Sequence, residues 1–292
     1  MNFSNDPVLG DVVSMLSGVV GVCAVGLGGS RSLGIADQNS DYDIVVFQQR
    51  RDDIDSAALT SAIERISESP PRVTGKLALA EFTVRGRKIE LLFRRLDTIA
   101  AEIEAARQGR FNRVIHPLHP GGFLSTVMVS YLTYVLPVWD PEGLLARLNE
   151  TARPYPDLLR QRMIATFRNE AGLGLIHASK VRRADEPAYL LGLYSRVVSA
   201  WLLVLFALNR RYPVIDKGAI RLIMSFPEHP VNFQGRVARI LSDGAAGNLQ
   251  RARAEAWQLQ REVVTMTGGK VGPHAEPRRP PAAPAVAPAP KA

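Results

Sequence analysis

The sequence contains a single cysteine, Cys23, in 292 residues, which excludes an intramolecular disulfide framework and suits a reducing compartment. Cys23 sits in the apolar run Val22 to Val25 and reads as a small buried strand residue. No Gly-Lys-Ser/Thr follows Gly28-Gly29, so the glycine turn there is not a Walker A phosphate loop. Nor is it a dinucleotide fingerprint, because Arg31 stands where the third glycine after Gly26-Leu27-Gly28 is due. The opening residues, Met1 to Pro7, lack a basic segment followed by an apolar one, so no secretory signal is expected and a cytoplasmic location is. One stretch, Tyr189 to Ala207, is nearly long and apolar enough to cross a bilayer. Arg196 in its middle, with Ser195 and Ser199, makes it a buried helix instead, and no membrane association is expected. No internal repeat is apparent. The net charge is +8, but Lys270, Arg278, Arg279 and Lys291 against Glu276 place three of those charges in the tail. A mildly basic body suits an anionic substrate, and stable DNA binding is not expected.

What is present is a chain with 46% hydrophobic and 22% charged residues, able to bury a large core and long enough for two domains. Its most informative stretch runs from Gly26 to Phe47 and joins a glycine turn to two alternating carboxylates. Asp41 and Asp43 open the β-branched run Ile44-Val45-Val46, so on a strand both point to one face. Two carboxylates this close repel unless a cation lies between them, and Mg²⁺ prefers carboxylate oxygens together with water and substrate phosphates. In Gly28-Gly29-Ser30, residues without a Cβ can turn backbone N–H groups onto a phosphate, with the Ser30 hydroxyl beside them. A nucleoside triphosphate with its metal would fit such a site. The plainer alternative is a glycine turn followed by an Asp-rich strand start.

Taken in order, Asp6-Pro7 caps a helix with an apolar stripe at Val8, Leu9, Val12, Val13 and Leu16. Val22–Leu27 and Asp41–Phe47 read as strands, and Asp52–Ser69 as a helix stopped by Pro70-Pro71. Leu77–Val84 and Lys88–Phe93 form a hairpin through Arg85-Gly86-Arg87. Glu90 interrupts an otherwise buried run there and needs a partner: either Asp41 and Asp43 across a site, or Arg85 or Lys88 at a solvated edge. Helices are expected at Asp97–Arg107 and Phe123–Tyr134, a loop around His116-Pro-Leu-His119, and a last strand at Leu136–Trp139. From Pro156 onward only helical periods occur: Leu158–Val181, Glu186–Asn209, Lys217–Ser225, Val231–Leu241 and Asn248–Met266. The fold class is therefore α+β, with a mixed-sheet domain over 1–152, an all-helical bundle over 153–268 and a disordered Pro/Ala-rich tail over 269–292.

Gly29-Ser30, Asp41-Tyr42-Asp43 and the later acid Glu90 resemble the pattern of the polymerase-β-like nucleotidyltransferase superfamily. The segments Arg183-Ala184-Asp185, Leu205 to Tyr212 and Asp216-Lys217-Gly218 look like the helical partner domain of the bacterial aminoglycoside and lincosamide nucleotidyltransferases. The resemblance implies that Asp41 and Asp43 hold two Mg²⁺ ions, with Glu90 completing the metal site or acting as base. It places Gly29, Ser30, Arg31 and Lys217 on the nucleotide, and Asp185 and Asn209 on the acceptor. The implied reaction moves a nucleoside monophosphate from a triphosphate, by default ATP, to a hydroxyl of a small molecule such as an antibiotic. A protein- or RNA-modifying transferase and a nucleotide-binding module without turnover are the alternatives. For Lys217 a plain helix-start lysine, and for Asp185 a helix cap, remain open.

Overall fold

The structure, a computed structural model, describes residues 6–34, 36–37, 40–51, 53–74, 79–116, 119–214 and 217–269. Beyond Gly269, the expected tail lies outside the described residues, and so does Asp216. The strands are β1 (Ala24–Leu27), β2 (Tyr42–Gln48), β3 (Arg72–Thr74), β4 (Leu79–Val84), β5 (Arg87–Arg95), β6 (Arg113–His116), β7 (His119–Leu124) and β8 (Leu136–Trp139). Six of them form one mixed sheet in the order β3-β4-β5-β2-β1-β8, in which β2 and β5 are parallel and the other pairs antiparallel.

The helices interleaved with these strands are α1 (Pro7–Ser17), α2 (Gly29–Ser32), α3 (Ser56–Glu64), α4 (Leu96–Arg107), α5 (Val127–Tyr134) and α6 (Leu144–Ala152). After them come α7 (Asp157–Lys180), α8 (Pro187–Leu208), α9 (Ala219–Ile223), α10 (Phe233–Ala245) and α11 (Leu249–Met266). Asp6 caps α1 as its position predicts, accepting from the Val8 and Leu9 N–H groups at 3.0 and 3.1 Å. Helix α3 starts later than the sequence suggests. Asp55 is the residue whose carboxylate takes the Ala57 and Ala58 N–H groups, so Asp53 and Ile54 precede the helix.

One face of the sheet carries a core built from Val25, Leu27, Ile44, Val46, Ile89 and Leu91, closed by Leu9, Val12 and Leu16 of α1 and Leu59 and Ile63 of α3. Side chains alternate along a strand, so burying these residues turns Asp43 and Glu90 to the opposite face. A slip of one residue would put the carboxylates in the core, and burial of the apolar set therefore fixes the register of the acids.

Of the segment expected as a loop, His116 ends β6 and His119 begins β7, while Pro117 and Leu118 lie outside the described residues. β6 and β7 pair antiparallel as a separate hairpin, with the two imidazoles stacked at 4.5 Å and Phe123 against them. Cross-strand pairing of Arg113 with Leu124 and of Val114 with Phe123 makes strands of the residues flanking that segment, and α5 begins only at Val127.

The chain divides into two compact units. The first contains the residues up to Ile164 and also Phe206–Ala219; the second contains Ala165–Leu205 and the residues from Ile220 on. In the first, the returning segment is anchored by Tyr212, buried against Tyr155 with ring centroids 4.9 Å apart. Lys217 belongs to this unit. The second is helical. Trp201 Nε1 donates to Gln260 Oε1 at 2.6 Å, and Arg236 is buried between Glu255 and Glu262. Helix α8 is long and apolar enough to cross a membrane, but 67% of its most apolar window is buried within the fold, as in a core helix.

Candidate active site

The site lies on the sheet face opposite α1 and α3, where the register of three strands aligns three acids. Asp43 on β2 is paired with Glu90 on the parallel strand β5, and Glu90 with Glu81 on the antiparallel strand β4. Asp41 precedes β2 by one residue. Asp41, Asp43 and Glu90 are thus brought together, and Glu81 joins them.

Lys88 is on the same face as Glu90, two residues earlier on β5. Its ammonium lies 2.5 Å from Glu90 Oε1, 2.8 Å from Glu81 Oε1 and 3.7 Å from Asp41 Oδ2. Hydrogen bonds to Glu81 and Glu90 raise the pKa of Lys88, and the bond to Lys88 lowers that of Glu81. Both partners proposed for Glu90 from sequence are therefore present on one surface, the other acids and Lys88.

Asp43 holds its proton more tightly than an ordinary aspartate. Burial raises its pKa most, followed by the charges of Glu90 and Asp41, while Lys217 and Lys88 act in the opposite direction. Lys217, exposed in the first unit, is therefore within electrostatic reach of Asp43.

The glycine turn is built against the same residue. The Gly28 N–H donates to the Asp43 carbonyl at 2.7 Å. Gly29 has φ +60°, and a Cβ there would strike the Asp43 carboxylate, so the backbone passes over that group with no room for a side chain. Ser30 follows as the second residue of α2, half-buried.

Arg31 has a task that its sequence position does not disclose. Its Nε donates to the Asp41 carbonyl at 3.1 Å and its Nη2 to the Ser40 carbonyl at 2.7 Å, with the guanidinium 3.8 Å above the Tyr42 ring. Tyr42 in turn donates its hydroxyl to Asp6 Oδ2 at 2.7 Å. The side chain thereby pins the backbone that presents Asp41. Asn209 follows the end of α8, half-buried, in the first unit. Asp185 lies in the second unit, exposed, in an ion pair with Arg183 at 2.8 Å.

The donors are carboxylates, the ligand type a hard divalent cation takes, and their mutual repulsion at Asp43 is what such a cation would relieve. As placed, Asp41, Glu81 and Glu90 gather about the Lys88 ammonium. Among the described residues, no three or more His, Cys, Asp or Glu side chains surround a common ion position.

No protein-family model matches the chain, and no curated protein matches it. Among solved structures it is similar to a nucleotidyltransferase-like protein from Exiguobacterium sibiricum. The two are 11% identical over 85% of this chain and 71% of that one, at a TM-score of 0.31. A superposition that loose assigns neither family nor activity.

Proposed function

We propose that the first unit is the catalytic domain of a nucleotidyltransferase that acts with a divalent cation. The observation that carries this reading is the alignment of Asp43 with Glu90 across neighbouring parallel strands, beneath a turn that approaches the Asp43 carboxylate so closely that only glycine fits at position 29. A bare strand entrance would need neither the acid row nor the close approach.

In this reading an acceptor hydroxyl oxygen forms a bond to the α-phosphorus of a nucleoside triphosphate. The bond from that phosphorus to the bridging oxygen of the β-phosphate breaks, and pyrophosphate leaves. Asp41 and Asp43 would hold Mg²⁺, which when bound neutralises charge on the phosphates. Glu90 receives the hydroxyl proton. Gly29 and Ser30 present backbone N–H and hydroxyl to the triphosphate, and Lys217 adds a positive charge beside Asp43. Arg31 acts at one remove, by holding the Ser40-Asp41 backbone. Most of the acceleration then comes from positioning and charge neutralisation, and no nucleophilic side chain is needed.

The test is a transfer assay with each of the four nucleoside triphosphates and Mg²⁺ against aminoglycosides, lincosamides, tRNA and protein acceptors. Pyrophosphate release with label on one acceptor class is expected, and its loss in Asp41→Asn. Nucleotide binding with no transfer to any of them would point instead to a binding module.

A further inference from the structure

We infer that Lys88 is a resident counter-ion of the acidic row, holding Glu90 and Glu81 together in the metal-free protein and competing with the divalent cation for the same carboxylates. This rests on the proposed metal site at Asp41 and Asp43. The pairing on β4 and β5 explains why a cation must sit there. Glu81 and Glu90 occupy opposed register positions of an antiparallel pair, an arrangement that like charges destabilise. Lys88 contacts both, and reaches Asp41 as well. Arg72 touches the far side of the row, 3.7 Å from Glu81. Glu90 and Asp41, two of the three acids expected to face a metal, thus already share an ammonium.

Two consequences separate this role from that of an ordinary surface ion pair. An ordinary pair leaves cation affinity alone or, if it shapes the site, supports it. A resident counter-ion lowers that affinity, because its charge repels the incoming ion and its hydrogen bonds occupy lone pairs that ion needs. Removing the charge from Lys88 should therefore strengthen cation binding, and keeping the charge should not.

The experiment is equilibrium binding of Mn²⁺ to the full chain without nucleotide, read as free Mn²⁺ by electron paramagnetic resonance. Wild type is compared with Lys88→Met, Lys88→Gln, Lys88→Arg and Asp43→Asn. We expect Mn²⁺ to bind about tenfold more tightly to Lys88→Met and Lys88→Gln, within about twofold of wild type to Lys88→Arg, and more weakly to Asp43→Asn. Circular dichroism melts identify any variant that does not fold, and the two neutral variants back each other. Unchanged or weakened binding in the folded neutral variants, with weaker binding in Asp43→Asn, would overturn the counter-ion role while leaving the metal site standing. Wild-type binding in Asp43→Asn would overturn the metal site, and the counter-ion role with it.

Discussion

At Asp43 burial and charge pull against stability. An aspartate whose folded-state pKa is raised keeps its proton longer in the folded chain than in the unfolded one. Stability contributed by this group is therefore greatest at low pH, falls as pH rises from the ordinary aspartate range through the raised value, and stays reduced above it. Asp43→Asn should consequently melt higher than wild type at pH 7, by about 2–4 °C for each kcal/mol relieved, while nucleotidyl transfer falls by about 10³-fold. Differential scanning calorimetry beside a pyrophosphate assay checks both, and a lower melting temperature would contradict the raised pKa of Asp43. Gly29→Ala should cost activity and at least about 1 kcal/mol of stability, since the left-handed φ and the Asp43 carboxylate both oppose a Cβ. Much at this scale was legible in sequence. The two-residue spacing of Asp41 and Asp43 and the interrupted apolar run at Glu90 each carry a local signal. Glu81 carries none, because a glutamate in the alternation Leu79 to Val84 looks like any solvated strand position. Only pairing with β5, a non-local event, puts it against Glu90.

Among elements, the turn between β4 and β5 and the start of α1 show how local rules set the frame of the site. Arg85 and Gly86 both have positive φ, 50° and 69°, as a two-residue hairpin turn with the sheet's twist requires. Arg85 also pairs with Asp11 of α1 at 2.7 Å, tying the turn to the helix. Asp6 does more than cap α1, because it is also the acceptor for Tyr42 on β2. Asp6→Ala should therefore cost about 2 kcal/mol, more than a typical cap, measured by urea unfolding. A loss near zero would mean that water replaces both partners. The hairpin of β6 and β7 shows the limit of local reading. Prolines and histidines spell a loop in any short window, and the pairing that sets strands on either side of it joins residues up to eleven positions apart.

On the scale of the molecule, helical periodicity in the second half was readable, whereas the body each helix packs against was not. A 3.6-residue pattern marks an apolar stripe without saying what covers it. A boundary drawn at residue 152 from composition leaves Lys217 with the helices, while the chain returns at Phe206–Ala219 to the unit holding Asp43. A fragment ending at residue 152 would lose Tyr212 and Lys217 together. It should be less stable than the first unit is in the full chain, and should bind nucleotide more weakly. In the second unit, Arg236 is only 7% exposed between two glutamates. Arg236→Ala should destabilise that unit by about 2 kcal/mol, a value discounted for the partial exposure of Glu262. Hydrogen exchange along α10 and α11 would show whether the loss is confined there.

Nucleotidyl transfer differs from phosphoryl transfer in which phosphorus moves, and that difference gives the most direct measurement. The full chain is incubated with Mg²⁺, the acceptor panel and one triphosphate labelled at the α-phosphorus in one tube and at the γ-phosphorus in another. The account predicts α-label on an acceptor and γ-label in pyrophosphate, with both lost in Asp43→Asn. γ-Label on the acceptor, or α-label transfer undiminished in Asp43→Asn, would contradict it.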